Sequence, residues 1–183
     1  MLELNDTQDA EEQFLSALAI KPDFVKGLIG LASHRMATGR MEDADKLLDR
    51  AMAQEPENES SWHMKGKIRL SLNDWRGALE YFDRTLALAP SNTVARVDRA
   101  SVYLLTGQHD IALKDLDIVQ KEAPKLPRAG LLRALAFVQM GEHQKAMTLL
   151  DDVTSWIGVL STEAFNNSPQ SLLLMGAIHY SLK

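Results

Sequence analysis

The chain has no cysteine. That excludes disulfides, thiolate metal sites, cysteine nucleophiles and acylation of a cysteine in this segment. It does not fix a compartment, because zero cysteine suits a reducing cytoplasm and an oxidising periplasm alike. Basic charge is also in short supply. Lysine and arginine total 20 against 25 aspartates and glutamates, a net charge of −5 with histidine neutral. Binding to phosphate backbones needs a basic surface, so no nucleic-acid partner is expected. No apolar run approaches the roughly 20 residues that span a bilayer, so no transmembrane segment is expected. The acidic start, MLELNDTQDAEEQ, lacks the basic head and apolar middle of a secretory signal. Phosphate-binding glycine loops and G-x-S-x-G elbows are missing as well. The five histidines, His34, His63, His109, His143 and His179, are scattered singly without ligand spacing. No catalytic, metal or cofactor site is therefore expected, and the chain does not read as an enzyme.

What the chain does have is a period of 34 residues. Alanine stands at Ala10, Ala44, Ala78, Ala112 and Ala146, each 34 after the last. Four residues on from each is a large apolar side chain: Phe14, Leu48, Phe82, Leu116 and Leu150. Pro22, Pro56, Pro90 and Pro124 keep the same interval. So do the small residues Ala32, Gly66, Ala100 and Ala134. Five residues before each alanine comes Asn5, Gly39, Asn73, Gly107 or Gly141.

Each series has a physical reading. Gly and Asn tolerate the left-handed conformation that ends a helix, so they close the first helix of a pair. Alanine lets the second helix approach the first. The large residue one turn further lies on the same face and fills the gap. Proline opens the connection to the next pair, where a missing N–H costs little. Helices are expected near 8–20, 24–38, 41–54, 58–72, 75–88, 92–106, 109–122, 127–140, 143–157 and 169–182.

These residues resemble the tetratricopeptide repeat (TPR) family, whose unit is a 34-residue helix–turn–helix. Trp62, Gly66, Ala78, Phe82 and Pro90 carry the pattern most fully. The resemblance implies an all-α, right-handed solenoid in one domain over 1–183. Its repeats would be about 1–24 (partial), 25–58, 59–92, 93–126, 127–168 and 169–183 (partial). The fifth interval carries eight extra residues around TSWIGVLSTEAFNNS, whose spacing extends its second helix by about two turns past Val153. The ends read as those of a segment from a longer array. An uncovered last helix bearing Leu172, Leu173, Leu174, Met175, Ile178 and Tyr180 is expected to invite self-association.

A narrower resemblance rests on Leu116, Asp117, Val119, Ala123, Pro124, Pro127, Leu132, Ala134, Leu135, Ala136, Phe137 and Gly141, followed by Leu172, Leu173, Leu174, Gly176, Ala177 and Tyr180. It is similar to the TPR-repeat lipoproteins of bacterial PEP-CTERM/exosortase systems, although the insertion departs from their pattern. This implies a role in exopolysaccharide and cell-surface protein sorting, in the periplasm or at the outer membrane. Without it, a generic cytoplasmic adaptor or a structural spacer remains open.

TPR proteins usually meet a partner on the inner face of the first helices. Transferred to this chain, those positions are Ile29, Ser33 and Met36; His63, Lys67 and Leu70; Val97, Ser101 and Leu104; Leu131, Leu135 and Val138; and Leu173, Ala177 and Tyr180. The Lys/Asn pairs that clamp a terminal carboxylate in the chaperone-binding branch are absent. His63 with Lys67 is the one polar pair of that spacing. The expected partner is another protein, offered as an apolar peptide or an amphipathic helix. A charge ladder is also expected. Asp49, Asp83, Asp117 and Asp151 recur at 34 on second helices. Lys65, Arg99 and Arg133 recur on first helices, where the family usually has leucine, and Arg35 and Arg69 lie one turn further along.

Overall fold

Four short turns punctuate the chain, and all four are built alike. Gly39, Asn73, Gly107 and Gly141 take positive φ values of 78°, 59°, 74° and 78°. Each donates its N–H to the carbonyl three residues back, at 3.0–3.1 Å. The next amide, of Arg40, Asp74, Gln108 or Glu142, donates to the carbonyl five back, at 2.8–2.9 Å. This double bond closes the carbonyls left open at a helix C-terminus, and it requires a left-handed residue at the bend.

The computed structural model describes residues 2–159 together with Gly176, Ile178 and Tyr180, with side chains from Ala10 to Ser155 and at those three positions. Among the described residues there are nine α-helices and no strand. They are α1 (Leu2–Ile20), α2 (Val25–Ala37), α3 (Met41–Gln54), α4 (Glu59–Ser71), α5 (Trp75–Leu88), α6 (Thr93–Leu105), α7 (His109–Glu122), α8 (Pro127–Gln139) and α9 (His143–Val159). The ends of the helix expected over 169–182 lie outside the described residues. The ends of these nine helices agree with the sequence expectation to within about two residues, except at the start. There α1 runs from Leu2 through Asn5, because one asparagine inside a helix costs only a few tenths of a kcal/mol, roughly, and no glycine or proline interrupts the turn.

Helices pair as α2–α3, α4–α5, α6–α7 and α8–α9, each joined by three residues. Between pairs, Pro22, Pro56, Pro90 and Pro124 occupy the second position of a turn. Its closing bond runs from the N–H of Phe24, Asn58, Asn92 or Leu126 to the carbonyl three back, at 3.0–3.2 Å. Asn58 and Asp74 also cap the following helix, accepting from the amides of Ser61 (3.2 Å) and Gly77 (3.0 Å).

The chain forms two compact units, residues 1–92 and 93–183, divided at a repeat boundary. In the first unit, Ala32, Ala44, Leu48 and Ile68 make one buried cluster, and Val25, Leu28 and Ala51 another. In the second, Val97, Ala100, Leu104, Ala112, Leu116 and Val119 pack with Ala129, Leu132 and Ala136. Small and large residues interlock as their spacing predicts. Gly66 faces the fully buried Phe82, and a Cβ there would fall 2.5 Å from the ring. Where leucine replaces that phenylalanine, at Leu48, Leu116 and Leu150, alanine takes the small position.

Helix α9 has 17 residues against 14 in α3, α5 and α7, so it outruns the other second helices. The side chain of Trp156 and the extra segment beyond Val159 lie outside the described residues. Ile178, expected on the uncovered face of the last helix, is instead fully buried with Leu131, Ala134, Leu150 and Val153. The apolar surface of α8 and α9 covers it. Tyr180 is 83% exposed.

Candidate functional site

First helices lie side by side within each unit, α2 with α4 and α6 with α8. On the α2–α4 face, Ser33 and Lys67 are exposed, while Ile29, Met36, His63 and Leu70 are half-buried. Ile29 and Met36 lean on the Ala32–Leu48–Ile68 core. The His63 ring packs against Phe82, 5.7 Å between ring centres. Lys67 therefore reaches solvent beside an imidazole held down by an aromatic ring, a weak arrangement for an anion.

The α6–α8 face is more apolar and more deeply set. Leu135 and Val138 are half-buried, and Ser101 donates from Oγ to the Asp98 carbonyl at 2.6 Å. Val97, Leu104 and Leu131, expected to line the face, are 0–3% exposed and belong to the core. The cause is packing. Val97 and Leu104 turn into the cluster shared by α6, α7 and α8, and Ile178 lies on Leu131. Leu173 and Ala177 lie outside the described residues.

Each unit also joins its helices through charge. Lys65 on α4 is only 4% exposed, and its Nζ meets Asp45 at 3.0 Å and Asp49 at 2.5 Å, both on α3. Arg69, one turn on, meets Asp45 at 3.1 Å. Both cations also lie over the Tyr81 ring, 5.9 and 5.8 Å from its centre. Burial alone would depress the Lys65 ammonium, but its bonds to Asp49 and Asp45 outweigh that and hold its pKa above the ordinary lysine value. In the second unit, Arg133 on α8 meets Asp117 on α7 at 3.1 Å. The two pairs, 49 with 65 and 117 with 133, are equivalent positions two repeats apart. Two pairs of the expected ladder thus join a second helix to the following first helix, while Arg99 meets Asp115.

Three acidic residues that the 34-residue ladder did not single out do as much as those it did. Glu11 receives His34 at 3.0 Å, Arg40 at 2.8 Å and Arg35. Asp115, buried on α7, takes the Arg99 Nε and Nη2 at 2.8 and 2.6 Å. Asp98, buried on α6, meets Arg128 at 2.5 Å. For Glu11 a signal existed, since Glu11 and Asp45 stand 34 apart, as do Arg35 and Arg69. Asp115 has no acidic counterpart in other repeats, and periodicity could not find it.

Among the described residues, no three His, Asp or Glu side chains converge on a metal-sized site. No helix among them is long and apolar enough to cross a membrane.

The repeated hairpins, identical turns and interlocked small and large residues define an all-α solenoid of helical repeats. The tetratricopeptide repeat family model matches residues 1–68 and 69–135, and the chain belongs to that family. Solved structures give the same fold. MamA from Desulfovibrio magneticus RS-1, residue 41 to its end, superposes with a TM-score of 0.74 at 14% identity, covering 87% of this chain and 90% of that one. TTC0263, a thermophilic TPR protein of Thermus thermophilus, gives 0.73 at 18% identity, with 99% and 93% covered. YrrB, described as a TPR protein with an unusual peptide-binding site, gives 0.67 at 19%, with 96% and 84% covered. At these identities the likeness is one of fold. No curated protein matches the chain.

Proposed function

We propose that the chain is a protein-interaction scaffold that holds a partner peptide or helix against the faces of its first helices. One observation carries this reading. The residues that build the scaffold keep their type every 34 positions, whereas two of the three face series change, Ile29, His63, Val97 and Leu131 in one and Ser33, Lys67, Ser101 and Leu135 in the other. Ser33 and Lys67 give the first face a polar, singly cationic surface; Leu135 and Val138 give the second an apolar one. A spacer needs only the repeating set. A face that changes from repeat to repeat can discriminate among partners. Leu135 and Val138 stand three apart, where they would meet the apolar stripe of an amphipathic helix.

The setting proposed is bacterial cell-surface protein sorting, supported by the residues shared with the PEP-CTERM-associated TPR lipoproteins over 116–141 and 172–180. Self-association through the last helix is supported by the exposed Tyr180 and weakened by the burial of Ile178.

The test is amide chemical-shift mapping with an amphipathic helical peptide selected for binding to the intact chain. Shifts confined to α6 and α8 support the reading. Shifts confined to the outer surfaces of α7 and α9 would reject it.

A further inference from the structure

A cleft of about 340 Å³ opens between α8 and α9, away from the first-helix faces. Arg133, Phe137, Thr148 and Leu149 line it, with Lys145 and Asp152 also part of its wall. Its volume sits at the lower end of small-ligand pockets. The other repeats show what ordinarily occupies this place. Between α4 and α5, the residue equivalent to Leu149 is Tyr81, whose ring fills the space beneath Lys65 and Arg69. Between α6 and α7 it is Asp115, whose carboxylate takes both Nε and Nη2 of Arg99, the counterpart of Arg133. On the preceding second helix, Asp45 gives Lys65 a second carboxylate, and its counterpart here is Leu113.

Among the described residues Arg133 thus pairs with Asp117, through Nη2. Its Nε is buried and finds no acceptor among the described residues. A buried guanidinium N–H without an acceptor is costly, and native structures seldom leave one so. We propose that the α8–α9 cleft is a binding subsite for a carboxylate carried on an apolar stem, supplied by a peptide. With the Leu149 side chain turned aside, the stem packs on Phe137 and the carboxylate accepts from Arg133 Nε as Asp115 does from Arg99 Nε. Asp152 opposes an anion, but it is exposed and screened by water, whereas the Arg133 Nε is buried. Lys145 lies over the Phe137 ring, 5.5 Å from its centre, and adds positive charge beside the stem.

The test uses the intact chain and the Nε–H resonance of Arg133. Titration with 3-phenylpropionate at roughly millimolar concentration shifts that resonance, and 3-phenylpropionamide does not. Two peptides separate the sources of carboxylate. Ac-Leu-Leu-Phe-OH carries only a terminal carboxylate, and Ac-Leu-Leu-Glu-NH2 only a side-chain one. The one that binds is expected to lose roughly tenfold in affinity or more in Arg133→Gln. Leu149→Asp guards against a folding artefact. It supplies the acceptor from within, as Asp115 does, so it keeps the fold, raises Tm and excludes the carboxylate. An Arg133 resonance unmoved by every probe, or carboxylate binding retained in a folded Leu149→Asp variant, overturns the proposal.

Discussion

At the scale of single residues, the contact between Gly66 and Phe82 is a sharp constraint. Alanine is the better helix former by about 1 kcal/mol. At position 66, however, its Cβ would sit 2.5 Å from a fully buried ring, and overpacking costs about 1–3 kcal/mol. Gly66→Ala is therefore expected to destabilise the chain by roughly 1 kcal/mol. Phe82→Leu in the same chain should recover most of it, because Ala100 with Leu116 is that pair one repeat on. A double-mutant cycle by urea denaturation checks this, and simple additivity would refute it. The turns supply a second case. Asn73 holds a left-handed φ of 59° where Gly39, Gly107 and Gly141 do the same. Asn73→Gly is expected to change stability by less than about 0.5 kcal/mol, and Gly107→Ala to cost about 1–2 kcal/mol. Thermal melts of both variants decide.

At the scale of elements, α3 is held to α4 by a lysine that water barely reaches. Removing both partners, Asp45→Ala with Asp49→Ala, leaves the Lys65 charge buried and should cost roughly 3 kcal/mol. Lys65→Met combined with both alanine changes removes the buried charge together with its partners and is expected to cost less than that. Equal losses in both variants would contradict this. The pH dependence follows in sign. The folded pKa of Lys65 lies above its unfolded value of about 10.4. Its stabilisation is therefore whole below that value and is lost as pH rises through the folded pKa. The alkaline decline in stability should be shallower in Lys65→Met.

These elements were legible in the sequence for a plain reason. A turn, a close helix approach and a filled gap each demand a residue type at a fixed position, and repetition multiplies each demand. Gly39, Ala44, Leu48 and Pro56 could be placed from one another. The face was less legible, because its residues answer to neighbours that periodicity does not specify. Val97 and Ser33 occupy related places on first helices, yet one is buried beneath packed helices and the other is bare. Asp115 was missed because its pairing with Arg99 depends on geometry that belongs to one repeat.

At the scale of the whole molecule, the proposed role requires that a repeating scaffold carry a face that varies and binds a partner. The most direct measurement is selection of peptides against the intact chain, followed by titration of the selected peptide into Leu135→Glu/Val138→Glu and, as a control, Ile118→Glu, at an exposed apolar position of α7. Far-UV circular dichroism confirms that each variant is folded. A loss of at least about tenfold in affinity is predicted for the double variant, as expected when hot-spot apolar contacts are removed, with Ile118→Glu unchanged. Undiminished binding by the folded double variant would contradict it.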